Sequence, residues 1–240
     1  MRSGVLILLL AASAAACSRA PTLDHPFTDP QLAPLADAVA RGDADALRAG
    51  LAGGVHPDTP GSDGSSLLQL AVAAGRADVV EVLLDAGADP DRQAPGGGSA
   101  VHVAAFGDDP ALLKLLLDRG ANPDQPNRVT GETPLVRAIL GGGREQVRML
   151  LAAGADPGAA DHNGTTPLHA AGSINAGGIV LELLEAGAPA HATNSAGETF
   201  QPYYFQMREA LLNARARDER EAVRAWLRAH DVPLEAGSGG

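Results

Sequence analysis

Apolar residues recur along this chain at the spacing of one helix face, in short segments separated by polar and glycine-rich stretches. In ADVVEVLLDAG, Ala77–Gly87, the apolar positions lie three and four residues apart, which predicts an amphipathic helix. Segments of this kind end alike six times along the chain, at Gly54, Gly87, Gly120, Gly154, Gly187 and His230. The intervals between these ends are 33, 33, 34, 33 and 43 residues. Such a period predicts an all-α repeat solenoid, in which small units stack to bury a shared core.

A second series of small residues keeps the same period. It consists of Ala38, Ala71, Ala104, Ala138 and Ala171. The stretch that ends at Ala171 reads GTTPLHAA, and the corresponding stretches read GETPLVRA (131–138), GGSAVHVA (97–104) and GSSLLQLA (64–71). With this motif and period, residues 32–235 resemble ankyrin-repeat proteins. The resemblance implies units that each contain two helices and a hairpin loop.

The period divides the predicted domain, residues 31–236, into six units. Their approximate bounds are 31–60, 61–93, 94–125, 126–159, 160–192 and 193–236. The first and last units depart from the motif and are interpreted as caps, because the ends of a solenoid have no neighbour to cover them. Residues 237–240 are expected to form a flexible tail.

The first 17 residues, MRSGVLILLLAASAAAC, have the features of a secretory signal peptide. Arg2 precedes a short apolar run, and small residues precede Cys17, the one cysteine of the chain. This ending resembles the lipobox of bacterial lipoproteins, which implies that Cys17 is lipidated and becomes the first residue of the mature chain. Ala14 stands where the lipobox usually has leucine, so ordinary cleavage after Ala16 stays open as an alternative.

Residues 18–30 contain three prolines and are expected to form an extended tether. The lipoprotein resemblance implies that the domain lies on the periplasmic side of the bacterial envelope. Ser18, directly after the cysteine, favours the outer membrane. Membrane contact is expected only through the lipid anchor.

Charge and motif content argue against several classes of function. The net charge of −11 would be repelled by phosphate backbones, so nucleic acid is not an expected partner. The sequence has none of the H-E-x-x-H, G-x-S-x-G or phosphate-loop motifs. His102 and His169 occupy the TPLH position, where the ankyrin resemblance implies hydrogen bonds to loop backbone between repeats. His162 beside Glu132 or Glu198 is the one faint catalytic combination, and we interpret it as a coincidence of polar hairpin tips. The sequence therefore predicts a protein that is not an enzyme and that holds no cofactor and no metal.

The ankyrin resemblance implies that a partner protein meets the hairpin tips and the exposed side of the first helices. On the first helices, Phe106 and Leu140 share one position in adjacent units, and Ile174 lies one position further on in the next unit. Three large apolar side chains in line indicate an interaction surface, unless irregular helix ends turn them into the core. At the hairpin tips, the repeat pattern predicts six partner-binding residues: Asp63, Thr130, Glu132, His162, Asn163 and Glu198.

The last unit begins with GETFQPYYFQM, Gly197–Met207, which holds four of the seven aromatic residues of the chain. Its longer interval predicts an insertion, followed by helices from Met207 to Ala216 and from Asp218 to His230. Two interpretations of the aromatic residues stay open. They cover the open end of the stack, or Tyr203 and Tyr204 extend the partner-binding surface, where tyrosine is common.

Two classes of function follow for a chain with these features. The first is a non-catalytic scaffold that recognises a protein partner and is itself monomeric. Narrower versions are an immunity protein that neutralises an antibacterial toxin aimed at the envelope, and an accessory protein of a periplasmic catalase in oxidative defence. The second class is a structural envelope component without a discrete partner. Fold and motif alone do not choose among them.

Overall fold

The computed structural model describes residues 26–235, and over this span the chain is helical without strands, which confirms the predicted all-α repeat solenoid. The predicted signal peptide, Cys17 and the tail lie outside the described residues. Consecutive helices form pairs, one pair for each unit. The pairs are α1 (Ala33–Arg41) and α2 (Ala44–Leu51), α3 (Leu67–Ala73) and α4 (Ala77–Asp85), α5 (Ala100–Phe106) and α6 (Pro110–Asp118), α7 (Pro134–Leu140) and α8 (Arg144–Ala152), α9 (Pro167–Ser173) and α10 (Gly177–Glu185), and α11 (Phe200–Phe205) and α12 (Ala214–Ala229).

Hydroxyl side chains begin the first helices of the second to sixth units, and glycines follow the second helices of the first five units. At the start of α3, Ser66 Oγ accepts a hydrogen bond from Gln69 N (3.1 Å), as N-cap residues do. Thr133 Oγ1 faces Val136 N in the same way at the start of α7 (3.5 Å). After α4 the chain turns at Gly87, whose φ of 86° lies in the left-handed region that favours glycine. The same turn recurs at Gly120, Gly154 and Gly187, which explains the regular unit ends.

The units stack in two layers, with the first helices in one layer and the second helices in the other. Between neighbouring units, α1, α3, α5, α7 and α9 pack against one another more closely than α2, α4, α6, α8 and α10 do. Because the more closely spaced layer lies on the inside of a curve, the first helices line the concave face. The core between the layers is aliphatic, with Leu67, Leu113, Ile139 and Val180 fully buried.

The end of the predicted tether belongs to the folded domain. Phe27 is buried beside Gly61, and Pro26 O accepts hydrogen bonds from Ser62 N (2.9 Å) and Ser62 Oγ (2.6 Å). The expectation of an extended tether up to residue 30 is therefore wrong for residues 26–30. Burial of the Phe27 ring stabilises this placement, which the proline content of the segment did not reveal.

The last unit also differs from the prediction. The expected helix from Met207 to Ala216 is wrong, because the aromatic stretch itself forms α11 and a 3-10 turn, Glu209–Leu211, follows it. Pro202 lies in the first turn of α11, where a backbone N–H is not needed for the helix. The left-handed turn after the second helix of this unit lies at Asp231, one residue after the predicted segment end at His230, and Asp231 takes there the φ of 56° that glycine has elsewhere.

None of the helices within residues 26–235 has the length and hydropathy that a membrane crossing requires.

Candidate protein-interaction face

Four large apolar side chains form an exposed line on the concave face. They are Phe106 (48% exposed), Leu140 (38%), Ile174 (40%) and Met207 (42%), and we call them the concave stripe. Each comes from the C-terminal end of a first helix or from the residues directly after it, in four consecutive units. The structure thus exposes the three residues that the sequence placed in line, instead of turning them into the core.

The position of each residue in its unit explains this exposure. Ala105 and Ile139, which directly precede Phe106 and Leu140, are buried between the two helix layers. The next position on the helix is rotated by about 100° and faces away from the second layer. A β-carbon on Gly141 would lie 2.9 Å from Phe106 O, so the ends of α5 and α7 approach each other closely. Close approach of these ends brings the stripe residues of neighbouring units side by side.

Arg137 on α7 accompanies the stripe. Its Cζ atom lies 4.6 Å from the centroid of the Phe106 ring, and its Nη1 atom lies 3.9 Å from Glu132 Oε2. A cation over a ring contributes about 0.5–1 kcal/mol at an exposed site. The contact holds one face of the Phe106 ring against the protein.

A groove opens beside the stripe where the fifth and sixth units meet. Its volume is about 360 Å³. Ile174 and Met207 form the aliphatic part of its wall, and the other lining residues are Ser173, Asn175, Tyr203, Tyr204 and Gln206. The stripe therefore ends in a concavity that is large enough to receive a side chain of a partner.

Tyr203 is held in a fixed position on the wall of this groove. Its hydroxyl donates a hydrogen bond to Glu198 Oε2 (2.6 Å) and accepts one from Asn194 Nδ2 (2.8 Å). Its ring meets the His169 ring edge to face, with the centroids 5.8 Å apart. The hydrogen bond to Glu198 raises the pKa of Tyr203. The half-buried ring is thus presented by contacts to the last hairpin and to α9.

Tyr204, which was predicted to bind the partner together with Tyr203, is a core residue. It is 1% exposed, and burial raises its pKa to about 12. Neighbouring residues on a helix point about 100° apart, so two consecutive tyrosines do not share one exposed face. Phe200 and Phe205 are buried as well, so three of the four aromatic residues of the stretch cover the end of the stack.

The hairpin tips lie before the first helices, and backbone hydrogen bonds join neighbouring tips. His162 N donates to Thr130 O (3.0 Å), and Ser195 N donates to Asn163 O (2.8 Å). His162 Nδ1 lies 3.1 Å from Val129 O, within hydrogen-bonding distance. The imidazole that the sequence placed near two carboxylates is therefore engaged with the backbone of the preceding tip.

The predicted tip carboxylates each have a partner within the chain. Asp63 accepts hydrogen bonds from Ser65 Oγ (2.6 Å) and Ser65 N (2.9 Å), which lower its pKa. Glu132 lies beside Arg137, and Glu198 holds Tyr203. These contacts fix anionic groups before the first helices, at the opposite end of these helices from the stripe.

His102 and His169 hold neighbouring units together, which confirms their predicted role. In the third unit, His102 Nδ1 lies 3.2 Å from Ser99 N, and His102 Nε2 lies 3.1 Å from Glu132 O in the next unit. His169 makes the corresponding contacts in the fifth unit. A backbone N–H opposite Nδ1 fits the neutral imidazole with its hydrogen on Nε2. Burial lowers the pKa of His102, which also favours the neutral imidazole.

Met207 is the stripe residue that sequence reasoning missed, because it was assigned to a following helix. It lies 33 residues after Ile174, so the repeat period itself could have placed it in line. Among residues 26–235, no three His, Cys, Asp or Glu side chains form a group that could hold a metal ion. The site offers ring faces, aliphatic side chains and one arginine, which are the groups of a protein-recognition surface.

Comparison with protein families agrees with the fold. The family model described as ankyrin repeats (3 copies) matches residues 101–194, and the model described as ankyrin repeats (many copies) matches residues 67–117. Together the two matches extend over more than half of the chain. The chain therefore belongs to the ankyrin-repeat proteins, which are generally non-catalytic and mediate contacts between proteins.

Two curated proteins share shorter stretches with this chain. Protein PhlB of Serratia liquefaciens is 51% identical over 49 residues, which are 20% of this chain and 22% of that protein. Protein fem-1 homolog A of Bos taurus is 37% identical over 89 residues, which are 31% of this chain and 14% of that protein. The chain matches less than a quarter of the length of either relative, so the likeness concerns repeats rather than whole proteins.

Proposed function

We propose that this chain is a scaffold that holds another protein on the concave stripe and the adjacent hairpin tips. The line of four exposed apolar side chains in consecutive units carries the proposal. A contiguous exposed apolar patch usually marks an interaction surface. Aromatic residues, methionine and arginine are enriched in such surfaces, and the stripe region combines Phe106, Met207, Tyr203 and Arg137.

We also propose that the scaffold is exported and anchored by lipid at Cys17, on the periplasmic side of the bacterial envelope. The support is the sequence of residues 1–17, with its apolar run and the small residues before Cys17. Expression of the full chain in a bacterial host with labelled palmitate should give a labelled protein. Cys17→Ala should remove the label. An unlabelled wild-type chain would instead favour ordinary cleavage after Ala16.

Substitutions in the stripe test the scaffold proposal. The full chain, Phe106→Ser combined with Leu140→Ser, and Leu211→Ser as a control are used for crosslinked pull-downs from bacterial envelope extract and from competitor bacteria. Leu211 is a matched control because it is also exposed but lies in the 3-10 turn outside the stripe. We expect a stoichiometric partner with the wild type and the control, and its loss with the stripe variant.

Thermal unfolding of the same proteins completes the test. Phe106→Ser removes the contact with Arg137, about 0.5–1 kcal/mol, and Leu140→Ser at an exposed position costs about 0.5 kcal/mol, so the stripe variant should unfold within about 1.5 kcal/mol of the wild type. Early unfolding would mean that the stripe is part of the core. Capture that survives the substitutions would place binding elsewhere, and the absence of a stoichiometric partner would favour a structural envelope component.

A further inference from the structure

The spacing of the concave stripe restricts the kind of partner that it fits. Packed helices lie about 8–10 Å apart, and small residues at the contact allow the shorter distances. The stripe residues come one from each of four successive first helices, and Gly141 allows close contact between two of them. The stripe therefore presents an apolar side chain about every 8–10 Å along the stack.

A helical partner matches this spacing, and an extended one does not. In an α-helix, seven residues rise about 10.5 Å, and residues seven apart point in directions that differ by only about 20°. In an extended strand, about three residues span the same distance, and residues three apart point to opposite faces. One apolar residue for each unit is thus available from a helix at every seventh position.

Charge adds a second restriction. Residues 26–207, which form the stack up to the end of the stripe, contain 22 Asp and Glu against 10 Lys and Arg. Carboxylates lie at both ends of the first helices, with Glu132 and Glu198 at the tips and Asp108 directly after the end of α5. Two positive charges lie at the same face, Arg137 against the Phe106 ring and beside Glu132, and the exposed Arg208 after Met207. A partner with basic residues beside its apolar line complements the acidic excess of the stack around them.

We infer that the concave stripe receives an amphipathic α-helix of the partner protein, with apolar side chains seven residues apart and lysine or arginine beside them. The inference rests on the proposed function, which states only that a protein binds there. Contact with all four stripe residues takes three seven-residue steps, or about 32 Å of helix. The last apolar side chain enters the groove between Ile174 and Met207.

Two designed peptides of equal composition test the spacing. Each is an alanine-based helix of about 28 residues with lysines on its flanks and four leucines. In one peptide the leucines lie seven residues apart, and in the other they lie five apart, which distributes them around the helix. Fluorescence anisotropy with the full chain should show binding about tenfold tighter for the seven-residue spacing, because the other peptide buries fewer leucines at once.

Further variants of the chain and of the peptides separate the contributions of apolar contacts, charge and helical conformation to binding. The combined Phe106→Ser and Leu140→Ser variant should lose the preference between the two peptides, and Leu211→Ser should keep it. Replacing the flanking lysines with glutamates should weaken binding, more at low salt than at high salt. A proline in the middle of the seven-spaced peptide breaks the helix and should abolish binding.

Equal binding of the two peptides, or no binding of either, would overturn the helical partner. Tighter binding of the proline peptide would indicate an extended partner segment instead. If a captured protein still depends on Phe106 and Leu140 while the peptides do not discriminate, the proposed function stands and the helical partner falls. If the stripe substitutions change the binding of neither the peptides nor a captured protein, both the proposed function and the helical partner are wrong.

Discussion

The internal units and the last unit have opposite packing requirements, and their sequences show it. An internal unit has neighbours on both sides, so its second helix is short and small residues leave room for the next unit. In the last unit, α12 extends over 16 residues, whereas α4, α6, α8 and α10 have 9 each. Tyr204 occupies the position that alanine has in the earlier units, such as Ala171. The same frame position is small where a neighbour must fit and large where space must be filled.

The polar contacts of the last unit differ as well. Residues 208–235 contain 6 basic and 6 acidic residues, in contrast to the acidic stack before them. Arg220 on α12 is 2% exposed, and its guanidinium donates hydrogen bonds to Met207 O (2.6 Å) and Tyr204 O (3.1 Å). Burial lowers the pKa of Arg220. A buried side chain therefore satisfies the carbonyls at the end of α11.

Arg220→Met should produce the largest effect and should concern the last unit. Loss of these charge-assisted hydrogen bonds leaves the buried Tyr204 carbonyl and the part-buried Met207 carbonyl without Arg220 as donor, which costs about 3 kcal/mol. Urea unfolding followed by the fluorescence of Trp226, the one tryptophan of the chain, should shift to lower urea. Trp226 lies on α12 itself, so its signal reports this unit.

Far-UV circular dichroism of the same variant sharpens the comparison, since most helices lie in the other units. We expect the fluorescence transition to precede the circular dichroism transition, because repeats unfold as semi-independent neighbours. Arg228→Met is the control, as Arg228 is exposed on the same helix and bonds only to Glu221 in the contacts described. Equal shifts for the two variants would contradict a special role of Arg220.

Gly177→Ala should have the next largest effect. A β-carbon on Gly177 at the start of α10 would overlap the Tyr204 hydroxyl and lie 2.8 Å from Glu219 Cβ. We expect a loss of about 2 kcal/mol, because overpacking forces the last unit away from α10. Urea unfolding measures the change, and Ala77→Gly, at the equivalent position in the second unit, should cost only about 0.5–1 kcal/mol.

A Tyr204→Ala background tests the cause of the Gly177 effect. In this background the overlap with the hydroxyl is gone, whereas the close approach of the β-carbon to Glu219 Cβ stays. Gly177→Ala should therefore cost less in the Tyr204→Ala background than in the wild type. If it destabilises both backgrounds equally, the tyrosine is not what requires glycine there.

The internal units were predictable from sequence because their contacts repeat. The repeat pattern predicts the unit length, the N-cap hydroxyls, the left-handed glycines and the inter-unit histidines. It also predicts the line of Phe106, Leu140 and Ile174. The last unit was not predictable in the same way. Its contacts, such as that of Arg220 with the end of α11, are made once and join residues without a repeating pattern.

Some loop contacts between units involve residues that the sequence shows, in a combination that only the geometry shows. Asp91 and Asp124 each accept a hydrogen bond from a backbone N–H of the following unit, for Asp124 from Asp156 N at 2.8 Å. At the next junction Gly158 has no carboxylate, and Pro189 opposite it has no N–H. A β-carbon on Gly158 would lie 2.9 Å from Pro189 Cδ. Both residues are visible in the sequence, but only the geometry shows that they belong to one contact.

His102→Gln should have the smallest effect at neutral pH, and it compares two internal units. Gln69 occupies the equivalent position in the second unit, where its Nε2 donates to Gly98 O (2.7 Å), so glutamine can replace the inter-unit hydrogen bond. We expect a change of at most about 0.5 kcal/mol at pH 7.5 in urea unfolding. The difference appears on acidification.

Burial lowers the pKa of His102 below its usual value of 6.5 in the folded chain. As the pH falls through 6.5, the unfolded chain takes up a proton that the folded chain resists, so stability that is present above this pH is lost below it. His102→Gln should therefore lose less stability between pH 7.5 and about 5.5 than the wild type. The reverse change, Gln69→His, should make the second unit more sensitive to acid. Equal losses for His102→Gln and the wild type would contradict a neutral, buried His102, because a histidine whose pKa does not change on folding adds no pH dependence.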